Sequence, residues 1–352
     1  MARRGARSDG GLFSILLWVA VGAGAIAIFA YAYFSSAIGK PSATAEDAAF
    51  VVERGATGAS IAEDLEEQGL IGDALLFRLA NRLYSGGATL QAGEYLIPAG
   101  ASVREIVAMM ASGEALQHAI TFPEGLTIAA AMRIIEESDV LTGDMPEAPL
   151  EGSILPETYH VQRGMTRVAL LQQMRDAHDA ALTEIWEGRQ PGLPVRTPED
   201  LVNLASIVER ETGVANERPQ VAAVIMNRLR RPMRLEMDST IIYGVCKRFP
   251  DRCVDGRLVN AQGQRRTIRQ SEIDLNTGYN TYRIDGLPPT PIGNPGRAAM
   301  EAVANPAQSN AIFFVADGSG GHAFTATIAE HNAAVARWRQ IEAQRLAEER
   351  AN

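Results

Sequence analysis

The strongest contrast along the chain is an apolar run at its start. Leu12 to Phe34 is apolar apart from Ser14 and two tyrosines, Tyr31 and Tyr33, near its end. At 1.5 Å rise per residue, a helix of this length reaches across a hydrocarbon core of about 30 Å. Residues 12–34 are therefore predicted to be a transmembrane helix behind a short stretch, 1–11. Residues 35–48 are small and polar and read as a linker. No second apolar run of comparable length follows, so a single span is expected.

Beyond the linker the pattern becomes short and mixed. Phe50-Val51-Val52 reads as a strand. Ser60 is a candidate cap for a helix carrying Ile61 and Leu65, and a second helix runs through Leu75, Leu76, Leu79 and Leu83 until Gly86-Gly87. Gly93 to Pro98 is a strand ending in a turn. Ser102 caps a further helix through Ile106, Val107 and Met110, stopped by Gly113. Residues 49–116 thus form a small module of β-α-α-β order. Such an order resembles a LysM-like fold, which implies glycan binding; a purely structural subdomain has the same pattern.

A larger module, 117–345, begins with a strand at Ala119 to Phe122 and a helix capped by Thr127. An amphipathic helix spans 166–187. Thr197-Pro198-Glu199-Asp200 is a helix start: threonine caps, proline suits the first position, and the acids complement the dipole. Leu201, Leu204, Ala205 and Val208 then make one apolar face, ended by Gly213. The tail, 346–352, continues a charged amphipathic helix containing Trp338 and Ile341. An α+β class with helices on a mixed sheet is expected.

Composition narrows the function. The length of 352 residues suits two or three modules. Net charge is −9, with no basic cluster beyond the N-terminus, which argues against a nucleic-acid partner. Arg3, Arg4 and Arg7 precede the apolar run, so the positive-inside bias places the N-terminus in the cytoplasm and the rest outside. A cleaved signal peptide ending at Ser35-Ser36-Ala37 is the competing reading, but the run exceeds a usual signal core of about 7–15 residues. Cys246 and Cys253 could close a small loop in an oxidising compartment or stay as free thiols. There is no HExxH, no nucleophile elbow and no phosphate-binding glycine loop, so no metal or cofactor is expected.

Two glutamates, Glu209 and Glu211, flank the apolar stripe of the 197–212 helix on opposite sides. Each sits where a carboxyl can be partly desolvated and still meet a substrate, as acid–base chemistry requires. Spacing does not choose between them. Arg210 could offer either one a surface ion pair.

Several blocks do choose. Leu204-Ala205-Ser206-Ile207-Val208-Glu209-Arg210-Glu211-Thr212 is followed by Glu217-Arg218, by Asn227-Arg228-Leu229 and by Asp238-Ser239-Thr240 with Tyr243-Gly244. Later come Tyr279-Asn280-Thr281-Tyr282-Arg283, Gly286-Leu287-Pro288-Pro289 to Gly296, and Ala316-Asp317-Gly318-Ser319-Gly320-Gly321-His322. In this order the blocks resemble the MltG/YceG-like family of endolytic murein transglycosylases. The resemblance implies a YceG-like catalytic domain and Glu209 as catalytic acid and base. It implies cleavage between N-acetylmuramic acid and N-acetylglucosamine, leaving a 1,6-anhydro end. Peptidoglycan strands would be the substrate, the cell inner membrane the location, and peptidoglycan synthases the neighbours. Glu217, Asp238, Thr240, Tyr243, Tyr279, Asn280 and Asn294 fall in the blocks as candidate sugar contacts; turn and cap duty is their alternative. The segment from Cys246 to Asn260 departs from the family pattern. A non-catalytic peptidoglycan-binding scaffold and a two-carboxylate muramidase are the rival functions.

Overall fold

The computed structural model describes residues 10–84 and 90–351. Arg3, Arg4, Arg7 and the Gly86-Gly87 break lie outside them. The chain divides into two compact units, one of residues 1–118 with 162–164, the other of residues 119–161 with 165–352.

The first unit starts with α1 (Gly10–Ile38). Its Ser14–Ile38 portion is long and apolar enough to cross a membrane, with mean hydropathy 2.2. The helix continues past Phe34 into the expected linker, because Ser35, Ser36 and Ala37 tolerate helix and nothing breaks it before Gly39. Ile38 is fully buried in the core of the unit, and Arg104 Nη2 donates to Ser35 O at 3.3 Å. The unit continues through β1 (Ala48–Val52), α2 (Gly58–Glu67), α3 (Ala74–Tyr84), β2 (Gly93–Ile97) and α4 (Val103–Ser112). Strands β1 and β2 pair antiparallel with Phe50 opposite Tyr95, two side chains at the centre of the core. Ser60 does not cap α2. Thr57 does, accepting from Ser60 N, while the Ser60 hydroxyl receives the Thr57 amide; Ser60 is the third residue of a capping box. Ser102 caps α4 through a similar box with Glu105, and Gly113 ends it in the left-handed conformation (φ 76°).

The second unit contains most of β3 (Gln117–Thr121), then α5 (Ile128–Glu137), β4 (Leu141–Thr142), β5 (Thr158–Gln162) up to Val161, β6 (Met165–Thr166), α6 (Arg167–Glu187), α7 (Pro198–Glu211), α8 (Arg218–Arg230) and α9 (Asp238–Arg248). It ends with β7 (Cys253–Val254), β8 (Arg257–Leu258), α10 (Gln270–Ile273), α11 (Arg297–Ala304), β9 (Phe313–Ala316), β10 (His322–Thr325) and α12 (Ile328–Ala351). The class is mixed α and β, but the expected mixed sheet does not form. Among the described residues every sheet has two strands: β3 with β5, β4 with β6, β7 with β8, β9 with β10. Helices supply the core instead. Helix α7 is buried from Leu201 to Val208 and packs against α8 and α11 through Val221, Ile225, Met300 and Val303.

Three polar side chains interrupt the buried face of α7 or stand at its end, and they hold one loop. Asn203 Nδ2 donates to Pro288 O at 2.7 Å. Ser206 Oγ accepts from Ile292 N at 3.0 Å. Glu209 Oε2 accepts from Gly296 N at 3.0 Å. Residues spaced by three on the helix thus receive loop residues spaced by four. The Pro288–Gly296 loop is fastened along the helix and delivers its last amide to the carboxylate.

The segment after α9 closes on itself. Cys246 and Cys253 are disulfide-bonded, with Cα atoms 5.5 Å apart and a sequence separation of 7. The bond ties α9 to the β7–β8 hairpin and joins Ile241, Val245 and Leu258 in a small apolar cluster. For so short a loop the chain-entropy argument gives about 2 kcal/mol. The double variant Cys246→Ser with Cys253→Ser is expected to lower the unfolding free energy by that amount in a urea titration. An unchanged midpoint would mean the hairpin is held by the cluster alone.

Candidate active site

The end of α7 carries three charged residues in a row. Thr197 caps the helix, accepting from Asp200 N, and Pro198 takes the first position. The helix runs buried through the core and emerges with Glu209, Arg210 and Glu211 pointing three different ways.

Glu209 is covered, its side chain only 4% exposed. Oε1 accepts from Arg218 Nη2 at 2.9 Å, and Oε2 accepts from the Gly296 amide. Gly125 forms a wall: a Cβ placed there would lie 3.3 Å from Glu209 Cγ. The backbone of Gly125 (φ +75°) adopts the left-handed region that favours glycine. The wall is held by a reciprocal pair of bonds, Gly125 N to Asn294 O and Asn294 N to Leu126 O, each 2.8 Å.

Arg218 also donates from the same Nη2 to Glu124 Oε2 at 2.9 Å. Its Nε has no partner among the described residues. One guanidinium nitrogen therefore bridges two carboxylates, one covered and one, Glu124, with 44% of its side chain exposed. Burial pushes the Glu124 carboxyl above the ordinary range, and the Glu209 charge adds to this; Arg218 opposes both.

Arg210 makes no surface ion pair with either glutamate. Its Nη1 donates to Gly125 O and its Nη2 to Gly256 O, both at 3.0 Å. It fastens the wall loop to the β7–β8 hairpin. Glu211 turns to the other side, where Oε1 accepts from Ser239 Oγ at 2.6 Å. Desolvation pushes this carboxyl up, against the Ser239 hydrogen bonds. The raised value means that the folded state keeps a proton which the unfolded chain has already lost. The contribution to stability is full below the unfolded value and falls as pH rises through the folded one. Glu211→Gln is expected to be more stable than the parent by ~1 kcal/mol at pH 8 and equal to it at pH 4, since an uncharged amide escapes the desolvation cost. Urea midpoints at the two pH values check this; a loss of stability at pH 8 would contradict it.

The other candidate contacts separate into two groups. Thr240, Asn280 and Asn294 are fully buried. Thr240 Oγ1 donates to Met237 O and shares a hydrogen bond with Thr281 Oγ1. Asn280 Nδ2 donates to Ile273 O and Leu275 O, and its Oδ1 accepts from Tyr282 N. Asn294 Nδ2 donates to Leu126 O. These three hold loops and offer no free face to a sugar. Glu217 accepts from His322 N and pairs with His322 Nδ1, both at 2.7 Å. Desolvation would raise its carboxyl, but His322 and Thr212 outweigh this and hold it low. Asp238 accepts from Tyr282 OH at 2.9 Å.

Tyr243 and Tyr279 stand edge to face, ring centroids 4.9 Å apart. Tyr279 OH meets Thr290 Oγ1 at 2.9 Å and accepts from Lys247 Nζ at 3.1 Å. Tyr243 OH donates to Glu151 Oε2 at 3.1 Å. Glu151 also accepts from Ile128 N at 2.8 Å, at the start of α5. Its desolvated carboxyl is pushed up, in spite of these hydrogen bonds. Glu151, Tyr243 and Lys247 line a cavity of ≈ 440 Å³ that also meets the disulfide. Glu209 is not among its lining residues. Two residues of one loop neighbour the cavity and the carboxylate: Thr127 lines the first and Gly125 lies against the second. Among the described residues no group of three His, Cys, Asp or Glu side chains is placed to hold a metal ion.

Sequence reasoning missed Arg218, Glu124 and Glu151. The signal for Arg218 was its place in the Glu217-Arg218 block. Glu124 and Glu151 lie beside glycines in loops, where a glutamate carries no periodicity to betray its direction.

Known proteins resemble this chain over most of its length. An endolytic murein transglycosylase of Bacillus subtilis is 26% identical over 80% of this chain and 82% of its own length. One from Streptococcus pneumoniae is 24% identical over 78% of this chain, which spans only 55% of that longer protein. A crystal structure of a YceG-like protein from Listeria monocytogenes covers 82% of this chain and 98% of its own, at 24% identity and a TM-score of 0.47. The model of the YceG-like family matches residues 50–337, well over half of the chain and all of the groups just described around Glu209, and the protein belongs to that family.

Proposed function

We propose that the protein is a membrane-anchored endolytic murein transglycosylase. It cuts the β-1,4 bond between N-acetylmuramic acid and N-acetylglucosamine and leaves a 1,6-anhydro end. The single observation that carries this is Glu209: a covered carboxylate at the tip of a buried helix, fixed by an amide and a guanidinium, inside the span matched by the family.

One carboxyl suffices for this chemistry. Protonated Glu209 gives its proton to the glycosidic oxygen as that bond to C1 breaks. The carboxylate so formed takes the proton of the muramic 6-hydroxyl, whose oxygen bonds to C1. The acid is regenerated and no water is consumed. The Gly296 amide is the group that holds the carboxylate between the two transfers. Exclusion of water by the covered site favours the internal hydroxyl.

The remaining roles follow from position. The cavity lined by Glu151, Tyr243 and Lys247 has the size of ordinary ligand pockets, about 300–1,000 Å³, and takes part of the glycan next to the cut; Tyr243 is the sugar contact in it. The β1-α2-α3-β2 module is LysM-like and binds the strand. The N-terminus is cytoplasmic, α1 crosses the inner membrane, and the rest faces the peptidoglycan, where cutting ends the growth of new strands beside the synthases.

Glu124 gives one observation to a second reading. Two carboxylates bridged by Arg218 are the equipment of a two-carboxylate hydrolase, in which Glu124 would assist water or act as nucleophile. Incubation of sacculi with the full-length protein in detergent is the test. Release of fragments cut within strands and ending in anhydro sugar is expected. Binding to sacculi without release would mean a scaffold and sink the enzyme.

A further inference from the structure

We infer that Arg218 is a positioning residue with two seats, and that it uncovers Glu209 for the substrate by shifting wholly onto Glu124. This rests on the assignment of Glu209 as the acid of the proposed reaction.

The geometry has three parts. First, Glu209 cannot meet a glycosidic oxygen as it stands. Its side chain is 4% exposed, and Arg218 and the Gly296 amide engage one oxygen each. The amide belongs to a fastened loop, so the guanidinium is the part of the cover able to move. Second, the alternative seat is already in contact: the same Nη2 is 2.9 Å from Glu124. The shift needs a change of side-chain rotamer and no new partner. Third, Glu124 is the exposed member, at 44%, and its own place is limited on one side. A Cβ at Gly296 would fall 2.0 Å from Glu124 Oε1, so only glycine there lets the carboxylate lie against the loop that also feeds Glu209.

Charge balance favours the same scheme. In the closed arrangement one guanidinium serves two carboxylates. Taking up one proton at Glu209 leaves a neutral acid and a one-to-one pair of Arg218 with Glu124. The other charged groups nearby are engaged elsewhere or weak. Arg210 is spent on two carbonyls, Glu211 on Ser239, and Glu217 on His322. Glu157, before β5, acts on Glu124 through its charge and makes its carboxyl harder to ionise. Arg297, near Arg218 in a shared cavity, is held by Glu184 and Glu301.

The test is the pH–rate profile of the full-length protein on glycan strands, with Glu124→Gln and Arg218→Met beside the parent. Without its second seat, Arg218 stays on Glu209, so Glu124→Gln is expected to move the alkaline limb to lower pH by about one unit, a tenfold loss on that limb, with KM unchanged. Arg218→Met is expected to move the limb the opposite way. Shifts of opposite sign are not produced by a merely structural role. A Glu124→Gln profile like the parent's, or one lowered evenly at all pH values, overturns the inference. If Glu124→Gln does not fold, Arg218→Met decides alone by the direction of its shift. Glu209→Gln in the same series separates the levels: if it stays active, the assignment of the acid fails. If it is inactive while the profiles do not move, only the two-seat role fails.

Discussion

Glu209→Gln in the full-length protein is expected to lower glycan cleavage by at least about 10³-fold while leaving fold and sacculus binding intact. A single positioned acid or base contributes about 10²–10⁴-fold, and here one carboxyl serves as both. Glutamine keeps the size of the side chain and can still accept from Gly296 N. It can neither donate a proton to the leaving oxygen nor receive one from the 6-hydroxyl. The pair with Arg218 is weakened, but α7 is held by its core, with Leu201, Leu204, Ala205, Ile207 and Val208 fully buried or nearly so. An unchanged thermal midpoint with lost turnover is therefore the signature. Retention of a tenth or more of the parental rate would move the acid elsewhere, and Glu124 would be the first place to look.

The second large effect is expected at a residue without a side chain. Gly293→Ala would place a Cβ 2.6 Å from Gly125 O, and within 3.3 Å of Leu126 O. Both are backbone atoms, so they cannot rotate away. The reciprocal bonds between Asn294 and the Gly125–Leu126 backbone would have to open. Gly125 is the wall of Glu209, and the same loop carries Glu124. A displacement of about 1 Å in such a wall costs roughly 10²-fold in rate, and this is the expected fall in kcat, with a lower thermal midpoint. Gly213→Ala is the matched control. It lies two residues beyond α7, its Cβ would meet nothing within 4 Å, and neither rate nor midpoint should change. Equal behaviour of the two variants would show that the loop contact does not set the position of the acid.

Much of the frame was legible in the sequence because its signals are local. The apolar run of α1, the Thr197-Pro198 start of α7, and the caps at Ser102 and Thr127 each need only a few neighbouring residues, and the structure has all of them. The sheets were not legible for the opposite reason. The β3 and β5 strands are separated by two further elements, and no short strand carries the register of a distant partner. For the candidate site, helical periodicity brought Glu209 and Glu211 to the boundary of the stripe and could go no further. Their difference lies in what faces them: Arg218 and Gly296 for one, Ser239 for the other. Arg210 shows the same limit. On the helix it looks like a solvated charge, yet its guanidinium is spent on two carbonyls from loops 85 and 46 residues away in the chain. Asn203 and Ser206 are the residues that could have been read further. Polar groups buried in a helix must find partners, and their spacing pointed to a strap along that face.

The most direct measurement is digestion of uncrosslinked glycan strands by the full-length protein in water enriched in ¹⁸O, with the products weighed by mass spectrometry. The central claim is that the nucleophile belongs to the substrate. New ends are then anhydro sugars, lighter than reducing ends by one water, and carry no ¹⁸O. Reducing ends with one ¹⁸O each would mean that water attacks C1, and the transglycosylase account would be wrong.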